Sequence, residues 1–571
     1  MNEGTTTQTL NGAAVKHEKV LTPSEHGQTS DDTSSPQVEE ATGRVAVRTD
    51  QVDDDIWSAS IFAIWLSIVC GVLCTYLDEG IIATAIPQIT DQFNSLGDVG
   101  WYGSAYLMTL CAFQLVFGRL YRNFNVKTVF LTSLAIFETG SLLCAVSPTS
   151  AVFILGRAVA GCGGAGLTSG TIALLVASLP AKGLPLYIGA VGIIYGVASV
   201  IGPVLGGLIT NSYLTWRWCF YINLPLAAPP AITTLFFVRV LHQPQTGGEA
   251  ARPWLQKARE LDYLGMVLLL PGVTSLILAL QLGGGGRYGW SDGRTIGCFV
   301  AAGVLTSAFL AEQCWMDEKA LIPPRIMKMR IVAFGSLFAF CLESAFLTLL
   351  YYLPLWFQAV QGVSAEESGV HYLALCAAFI AAIFSSGWAV TKLGYFQPFM
   401  LTGTVLVSVG SGLLSTLTIS SGPNKWIAYQ IIAGLGIGAS TEQPSVAVQR
   451  LLGEADAPLG VAVVLFCQNL GPTISVSVAN SVFAQTLTAG VRERLPGADP
   501  QAIMDSGATL LRGLVPPSDM EVLLEIYNSA LTRTFIVAAA MAAASVFGLI
   551  GIGTQKIPTE GDAAGEIIAR E

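Results

Sequence analysis

Residues 151–177 read AVFILGRAVAGCGGAGLTSGTIALLVA, twenty-seven residues with six glycines and a single charge, Arg157. Two folds compete for this stretch. Gly161-Cys162-Gly163-Gly164-Ala165-Gly166 has the G-x-G-x-x-G spacing of a dinucleotide loop, but such a loop follows a strand, and this one lies inside an apolar run long enough to cross a bilayer. In a membrane, small residues at these positions let neighbouring helices approach closely. The stretch is therefore a transmembrane helix. Gly283 to Gly286 lacks the Lys-Ser/Thr that completes a phosphate-binding loop, so no nucleotide site is expected and any transport must run on a gradient.

Composition extends that conclusion to the whole chain. Of 571 residues, 52% are hydrophobic and 12% charged, with 60 glycines; soluble domains carry about 25% charged residues. The net charge of −10 is mostly a tail: residues 1–56 hold 11 Asp/Glu and four Lys/Arg, a balance of −7. This Ser/Thr-rich segment is too polar to fold alone and lacks the basic start and apolar core of a signal peptide. No basic, aromatic-interleaved patch supports nucleic-acid binding. The eleven Cys lie in or beside apolar runs without metal-ligand spacing, which predicts packing residues and no metal or cofactor.

A window of about 20 apolar residues gives spans near 57–86, 100–118, 127–146, 151–177, 185–210, 218–240, 261–282, 295–313, 331–357, 370–391, 396–417, 425–449, 457–484 and 532–554. The expected fold is an all-α polytopic membrane protein with fourteen helices. Short loops on one side hold fourteen Lys/Arg, against four on the other, Arg217, Arg287, Arg294 and Lys425, which places both termini in the cytosol. The outer segment 485–531 is expected to carry a short amphipathic element near 518–530.

The two ends of the chain repeat one another. Ala160-Gly161-Cys162-Gly163 matches Ala433-Gly434-Leu435-Gly436, Gly202-Pro203 matches Gly471-Pro472, and Leu142-Leu143 matches Leu413-Leu414, at offsets of 273, 269 and 271. Spans 1–6 thus map onto spans 9–14, two parallel six-helix copies with two helices inserted, as a rocking transporter requires. The expected organisation is a cytosolic tail (1–56), a first bundle (57–240), a linker with the extra helices (241–330), a second bundle (331–554) and a tail (555–571).

The motifs carry a resemblance. Leu77-Asp78-Glu79 through Ala85-Ile86-Pro87 is similar to the first-span signature of the fourteen-span drug:proton antiporters of the major facilitator superfamily. Leu155-Gly156-Arg157 resembles their fourth-helix Arg motif. Gly192, Gly196 and Gly202-Pro203-Val204-Leu205-Gly206-Gly207 resemble their antiporter motif. Trp216 to Pro225, and Tyr351 to Pro354 with Phe357-Gln358, are similar to fungal toxin efflux pumps. Between spans two and three the pattern departs: in Gly118-Arg119-Leu120-Tyr121-Arg122-Asn123-Phe124-Asn125-Val126-Lys127, Arg122 occupies the family's Asp position, so its Asp-centred gate is not carried over.

Asp78, Glu79, Glu138, Arg157, Glu343 and Glu442 lie well inside spans. Each costs about 2.5–3.5 kcal/mol at the bilayer centre on insertion scales, so all should face protein or a watery cavity. At 1.5 Å per residue, Asp78, Glu138 and Arg157 sit at a common depth, roughly 9–12 Å from the outer surface. One Arg neutralises one carboxylate, leaving a carboxyl free to exchange a proton. Asp78 is the expected carrier, with Arg157 beside it and Glu79 and Glu138 as further candidates. Tyr102, Tyr106, Gln114, Glu343, Phe346, Tyr351, Gln358, Glu442, Gln468 and Asn469 are the expected cavity lining, since mixed aromatic and polar walls suit amphipathic ligands.

The expected activity is proton-coupled export of small amphipathic organic compounds, a fungal toxin or drugs, by a plasma-membrane monomer. A siderophore-type importer, a transport-inactive sensor and a vacuolar address remain the alternatives. No HExxH or Ser/His constellation suggests an enzyme.

Overall fold

In hydrocarbon a backbone must satisfy its hydrogen bonds within its own segment, so apolar windows of this length can only be helices. Helices are the regular structure throughout the described residues. The structure, a computed structural model of the chain, describes residues 59–93, 99–178, 184–210, 212–236, 262–284, 289–452, 456–505, 515–554 and 556. The 1–56 tail, the 555–571 tail apart from Lys556, and the linker residues 241–261 lie outside that description.

The first half contains α1 (Ala59–Phe93), α2 (Val99–Asn123), α3 (Val126–Val146), α4 (Ser150–Ser178), α5 (Leu184–Thr210), the short α6 (Trp218–Tyr221) and α7 (Asn223–Phe236). Next come α8 (Tyr263–Gly284), α9 (Gly293–Met316) and the short α10 (Pro324–Met327). The second half is α11 (Arg330–Trp356), α12 (Ala365–Leu393), α13 (Gln397–Leu414), α14 (Pro423–Ser440), α15 (Gln443–Leu451), α16 (Ala457–Arg494), α17 (Pro500–Asp505) and α18 (Met520–Ile552). Among the described residues, eleven helices are long and apolar enough to cross a membrane. Three that hydropathy windows also counted, α2, α5 and α14, are not among the eleven; Tyr, Gln and Arg dilute α2, and Gly, Gln and Asn dilute α14.

Two elements run further than expected. The amphipathic piece near 518–530 is the opening of α18, because no Gly or Pro interrupts the chain from Met520 to Phe547. α16 has 38 residues, about 57 Å of helix against a hydrocarbon core of about 30 Å. Arg494 at its end pairs with Glu525 of α18 at 2.5 Å. In α11, Pro354 is followed by a π-helical turn, Phe357–Gln361, that ends at Gly362 with φ of 72°.

Glycine contacts reveal the duplication in three dimensions. A β-carbon on Gly140 of α3 would stand 2.6 Å from Ala160 Cα of α4, and one on Gly410 of α13 would stand 2.8 Å from Ala433 Cα of α14. Gly161 and Gly434 likewise press against the carbonyls of Tyr106 in α2 and Leu375 in α12. The same glycines clamp the same helix triplet in each half. Across the halves, α2 packs on α16 and α5 on α12, while the inserted α8 lies against α9, α16 and α2.

Gly140→Val forces a side chain into the α4 backbone, and overpacking of this kind costs about 1–3 kcal/mol. Gly207 has open space around its Cα, so Gly207→Ala should fall within about 0.5 kcal/mol of the parent. Thermal melting in detergent checks both; equal melting of the two variants would contradict the tight α3–α4 contact.

Candidate functional site

Successive helix residues point about 100° apart, so the neighbours Asp78 and Glu79 of α1 cannot serve the same surface. Asp78 turns into the first half. Both it and Arg157 of α4 are buried, at 0% and 1% exposure, and Arg157 Nη1 donates to Asp78 Oδ2. Removing two charges from water costs several kcal/mol per ion unless further hydrogen bonds complete the pair. Those bonds are present. Arg157 Nε donates to the Tyr102 carbonyl at 2.9 Å, and Asn223 Nδ2 donates to Asp78 Oδ1 at 3.0 Å and to Ser141 Oγ at 3.2 Å. The guanidinium also lies over Tyr106, 4.5 Å from the ring centroid, a cation–π contact worth about 2 kcal/mol when desolvated.

Local structure explains this convergence. Gly161 lets α2 close on α4, which brings Tyr106 to the guanidinium. A break between α6 and α7 puts Asn223 at the first position of α7, with Pro225 in the first turn where its missing N–H costs nothing. Arg217 ties the preceding turn to the Ala145 and Ser147 carbonyls at 2.6 and 2.9 Å. Nothing in the spacing of polar residues had singled out Asn223 or Ser141; the only signal was that Asn223 lies within the Trp216–Pro225 motif. On α3, both carboxyl oxygens of Glu138 are shielded from solvent and have no hydrogen-bonding partner among the described residues. Glu138 lies within electrostatic reach of Asp78.

The second half keeps this frame without its charges. The offset of 273 that relates Gly161 to Gly434 carries Arg157 to Gln430 and Phe153 to Trp426, and the offset of 269 relating Tyr106 to Leu375 carries Tyr102 to His371. Tyr102 stands edge-on to Phe153 at 5.0 Å, and His371 lies on Trp426 at 4.6 Å. Neither Gln430 amide atom has a hydrogen-bonding partner among the described residues. The ion pair belongs to one half only.

Glu79 serves the other surface. Glu343 of α11 lies within electrostatic reach of Glu79 and of Glu442, which with Thr441 joins α14 to α15. Gln468 Nε2 of α16 donates to Glu343 Oε1 at 3.1 Å. Tyr76 of α1 meets Tyr195 of α5 at 4.3 Å between centroids, and Tyr195 stands edge-on to Phe346 at 6.0 Å and Phe379 at 6.2 Å. Phe346 and Phe379 stack at 5.5 Å. Among the described residues no Lys or Arg forms a salt bridge with Glu343 or Glu442. The halves therefore enclose three carboxyl groups and an aromatic cluster.

The α5 glycines shape this interface. A β-carbon on Gly196 would stand 2.6 Å from the Phe379 ring, one on Gly192 3.3 Å from Glu442 Oε1, and one on Gly202 3.0 Å from Gly80 Cα of α1. Gly206 is buried, and the side chain of Pro203 lies outside the described ones. Three residues expected on the cavity wall lie elsewhere. Tyr102, Tyr106 and Gln114 are buried within the first half, where Tyr102 bonds to Ser150 Oγ at 2.9 Å, Tyr106 to the Thr75 carbonyl at 3.3 Å and Gln114 to Ser169 Oγ at 2.9 Å. Asn469 bonds to the Leu465 carbonyl of its own helix at 3.0 Å. Tyr351 is 37% exposed, and Gln358 lies half-buried in the π turn.

Comparison with known proteins places the fold. Residues 68–476 match the Major Facilitator Superfamily profile. The chain is 44% identical over 482 residues to an "MFS-type efflux pump" of Arthroderma benhamiae, covering 84% of this chain and 89% of that one. It is 43% identical to "Efflux pump bfoC" of Aspergillus brasiliensis, over 92% and 90% of the two chains. It is 42% identical to "Efflux pump roqT" of Penicillium rubens, over 86% and 90%. Among solved structures, the proton:xylose symporter XylE shares the fold with a TM-score of 0.56 at 13% identity, covering 89% of this chain and 99% of that one. These relatives are transporters, not enzymes.

Asp78→Asn leaves Arg157 buried without its counter-charge, which should cost about 3–5 kcal/mol. The double variant Asp78→Asn/Arg157→Gln should recover most of that loss. Melting of the purified single and double variants checks the coupling, and an additive double variant would show that the pair contributes nothing as a unit.

Proposed function

The chain belongs to the major facilitator superfamily, and from that membership we propose that it is a proton-coupled exporter of small amphipathic organic compounds, such as a fungal secondary metabolite, working by alternating access. The observation that carries the proposal is the enclosure of Glu79, Glu343 and Glu442 with Tyr76, Tyr195, Phe346 and Phe379 at the meeting of the two halves. Carboxyl groups there can take up and release protons, and the rings supply apolar faces to a ligand. The efflux-pump names of the relatives favour export over siderophore-type import or sensing.

In this proposal the residues divide by task. Asp78 is held by Arg157 and Asn223, so the exchanging carboxyl of α1 is Glu79, which faces the opposite half; Asp78, Arg157 and Glu138 set the local field around it. Glu343, Glu442, Phe346 and Gln468 form the substrate wall, and Gly192, Gly196 and Gly202 let α5 move closely against α12 and α1. The bundles 57–240 and 331–554 rock about this site, with 241–330 as linker. We place fourteen crossings in a plasma membrane, with both termini cytosolic and one chain as the working unit.

Proteoliposomes carrying an imposed pH gradient and a fluorescent amphipathic compound test this. The parent should drive accumulation on the proton-rich side, and Glu79→Gln should reduce gradient-driven flux at least tenfold with reconstitution unchanged. Full gradient-driven flux in Glu79→Gln would move the coupling to another carboxyl. No gradient-dependent movement of any compound would count against export.

A further inference from the structure

Arg119, Arg122 and Lys127 follow Gly118 with no carboxylate among them, so the basic end of α2 must find acceptors elsewhere. Arg119 is 7% exposed, and its Nη2 donates to the Glu318 carbonyl at 3.0 Å. Glu318 lies in the 3-10 turn Asp317–Lys319 that closes the inserted helix pair. Its own carboxylate accepts from Arg325 Nε at 2.8 Å. Both Arg325 terminal nitrogens then donate to the two carboxylate oxygens of Asp456, each at 2.8 Å, immediately before α16. Glu318 thus holds the first half with its backbone and, through Arg325, the second half with its side chain.

The turn is fixed from behind. Asp262, 1% exposed at the start of α8, accepts from Gly265 N at 2.6 Å, Gln313 Nε2 at 2.8 Å and Leu321 N at 3.0 Å. Gln313 Oε1 takes Ile322 N at 2.7 Å. Asp317 has φ of 50°, a left-handed conformation that an L-residue keeps only when its surroundings impose it. Beneath the network, a β-carbon on Gly118 would stand 2.5 Å from Ala462 Cβ of α16, and a small void opens between Tyr121, Ser169, Ala173, Val461 and Leu465.

We propose that the inserted pair α8–α9 is a latch: its turn at Glu318 fastens α2 of the first half to the α16 end of the second, and it must release before the basic end of the bundle opens. The proposal rests on the alternating-access reading and adds a role for the inserted helices. Arg325 and Glu318 are about half exposed, 45% and 52%, so the pairing is weak enough to break in each cycle and is screened by salt. The bidentate Arg325–Asp456 fork supplies geometric specificity.

The test reads accessibility, not transport. An Ala173→Cys reporter in the void is labelled with a membrane-impermeant thiol reagent from the basic side, with modification at position 173 measured by mass spectrometry. Arg325→Ala should accelerate labelling at least fivefold, and the exchange of all three charges, Glu318→Arg/Arg325→Asp/Asp456→Arg, which leaves the position-318 carbonyl to Arg119, should return it to within twofold of the parent. An unchanged rate in Arg325→Ala, or an exchange variant that melts normally yet stays open, overturns the latch. If the exchange variant does not fold, salt decides: raising NaCl from ~0.05 to ~0.5 M should speed labelling in the parent and leave Arg325→Ala unaffected, and a salt-insensitive parent overturns it. Because no substrate is needed, a latch that responds while no compound is transported refutes the transport reading alone.

Discussion

The buried pair of Asp78 and Arg157 constrains the first half more than any other interaction. Neither ion is tolerable alone at membrane depth, so the helices bearing them must meet, and the remaining donors and acceptors must be met as well. That requirement recruits the Tyr102 carbonyl, the Tyr106 ring, Asn223 and Ser141, from α2, α7 and α3. The close α2–α4 approach at Gly161 and the break before Asn223 follow from it. Once Asp78 faces inward, helix geometry turns Glu79 outward, toward the opposite half.

Duplication and divergence separate cleanly in this molecule. The backbone frame is kept by small residues, since Gly140 and Gly410, or Gly161 and Gly434, permit the same helix contacts in both halves. The chemistry is not kept: Gln430 stands where Arg157 does, and His371 where Tyr102 does. With no cation at that place in the second half, Glu343 and Glu442 are left to the space between the halves. An interface between unlike partners brings Glu79, one residue from the fixed ion pair of the first half, toward the unpaired carboxyls and aromatic rings of the second.

Much of the site was legible along the chain. Depth counting put Asp78, Glu138 and Arg157 at one level, and the pairing of Asp78 with Arg157 and the proximity of Glu138 follow it. The cost of embedded charge marked Glu79, Glu343 and Glu442. What could not be read was direction. Tyr102, Tyr106 and Gln114 point into their own bundle, and a mixed aromatic and polar pattern looks the same on an internal seam and on a cavity wall. Asn223 was invisible for a related reason: one amide in an aromatic motif acquires its role only from the carboxylate that α1 brings to it. The extension of α18 was missed because hydropathy ends where Glu521 and Glu525 begin, whereas the helix ends only where hydrogen bonding does.

By itself the sequence determined that this chain spans a membrane many times and that it is a duplicated helical transporter, and it singled out the few charges embedded in its spans. Those conclusions rest on local quantities: apolar length, small-residue spacing and the cost of a charge in hydrocarbon. Tertiary structure alone decided that Asn223 and Ser141 complete the Asp78–Arg157 pair, which acids face one another across the halves, and how the inserted helices join Arg119 to Asp456. A side chain's partner is chosen by helix rotation and packing angle, and a shift of one residue along a helix redirects a side chain by about 100° without changing any local property of the sequence.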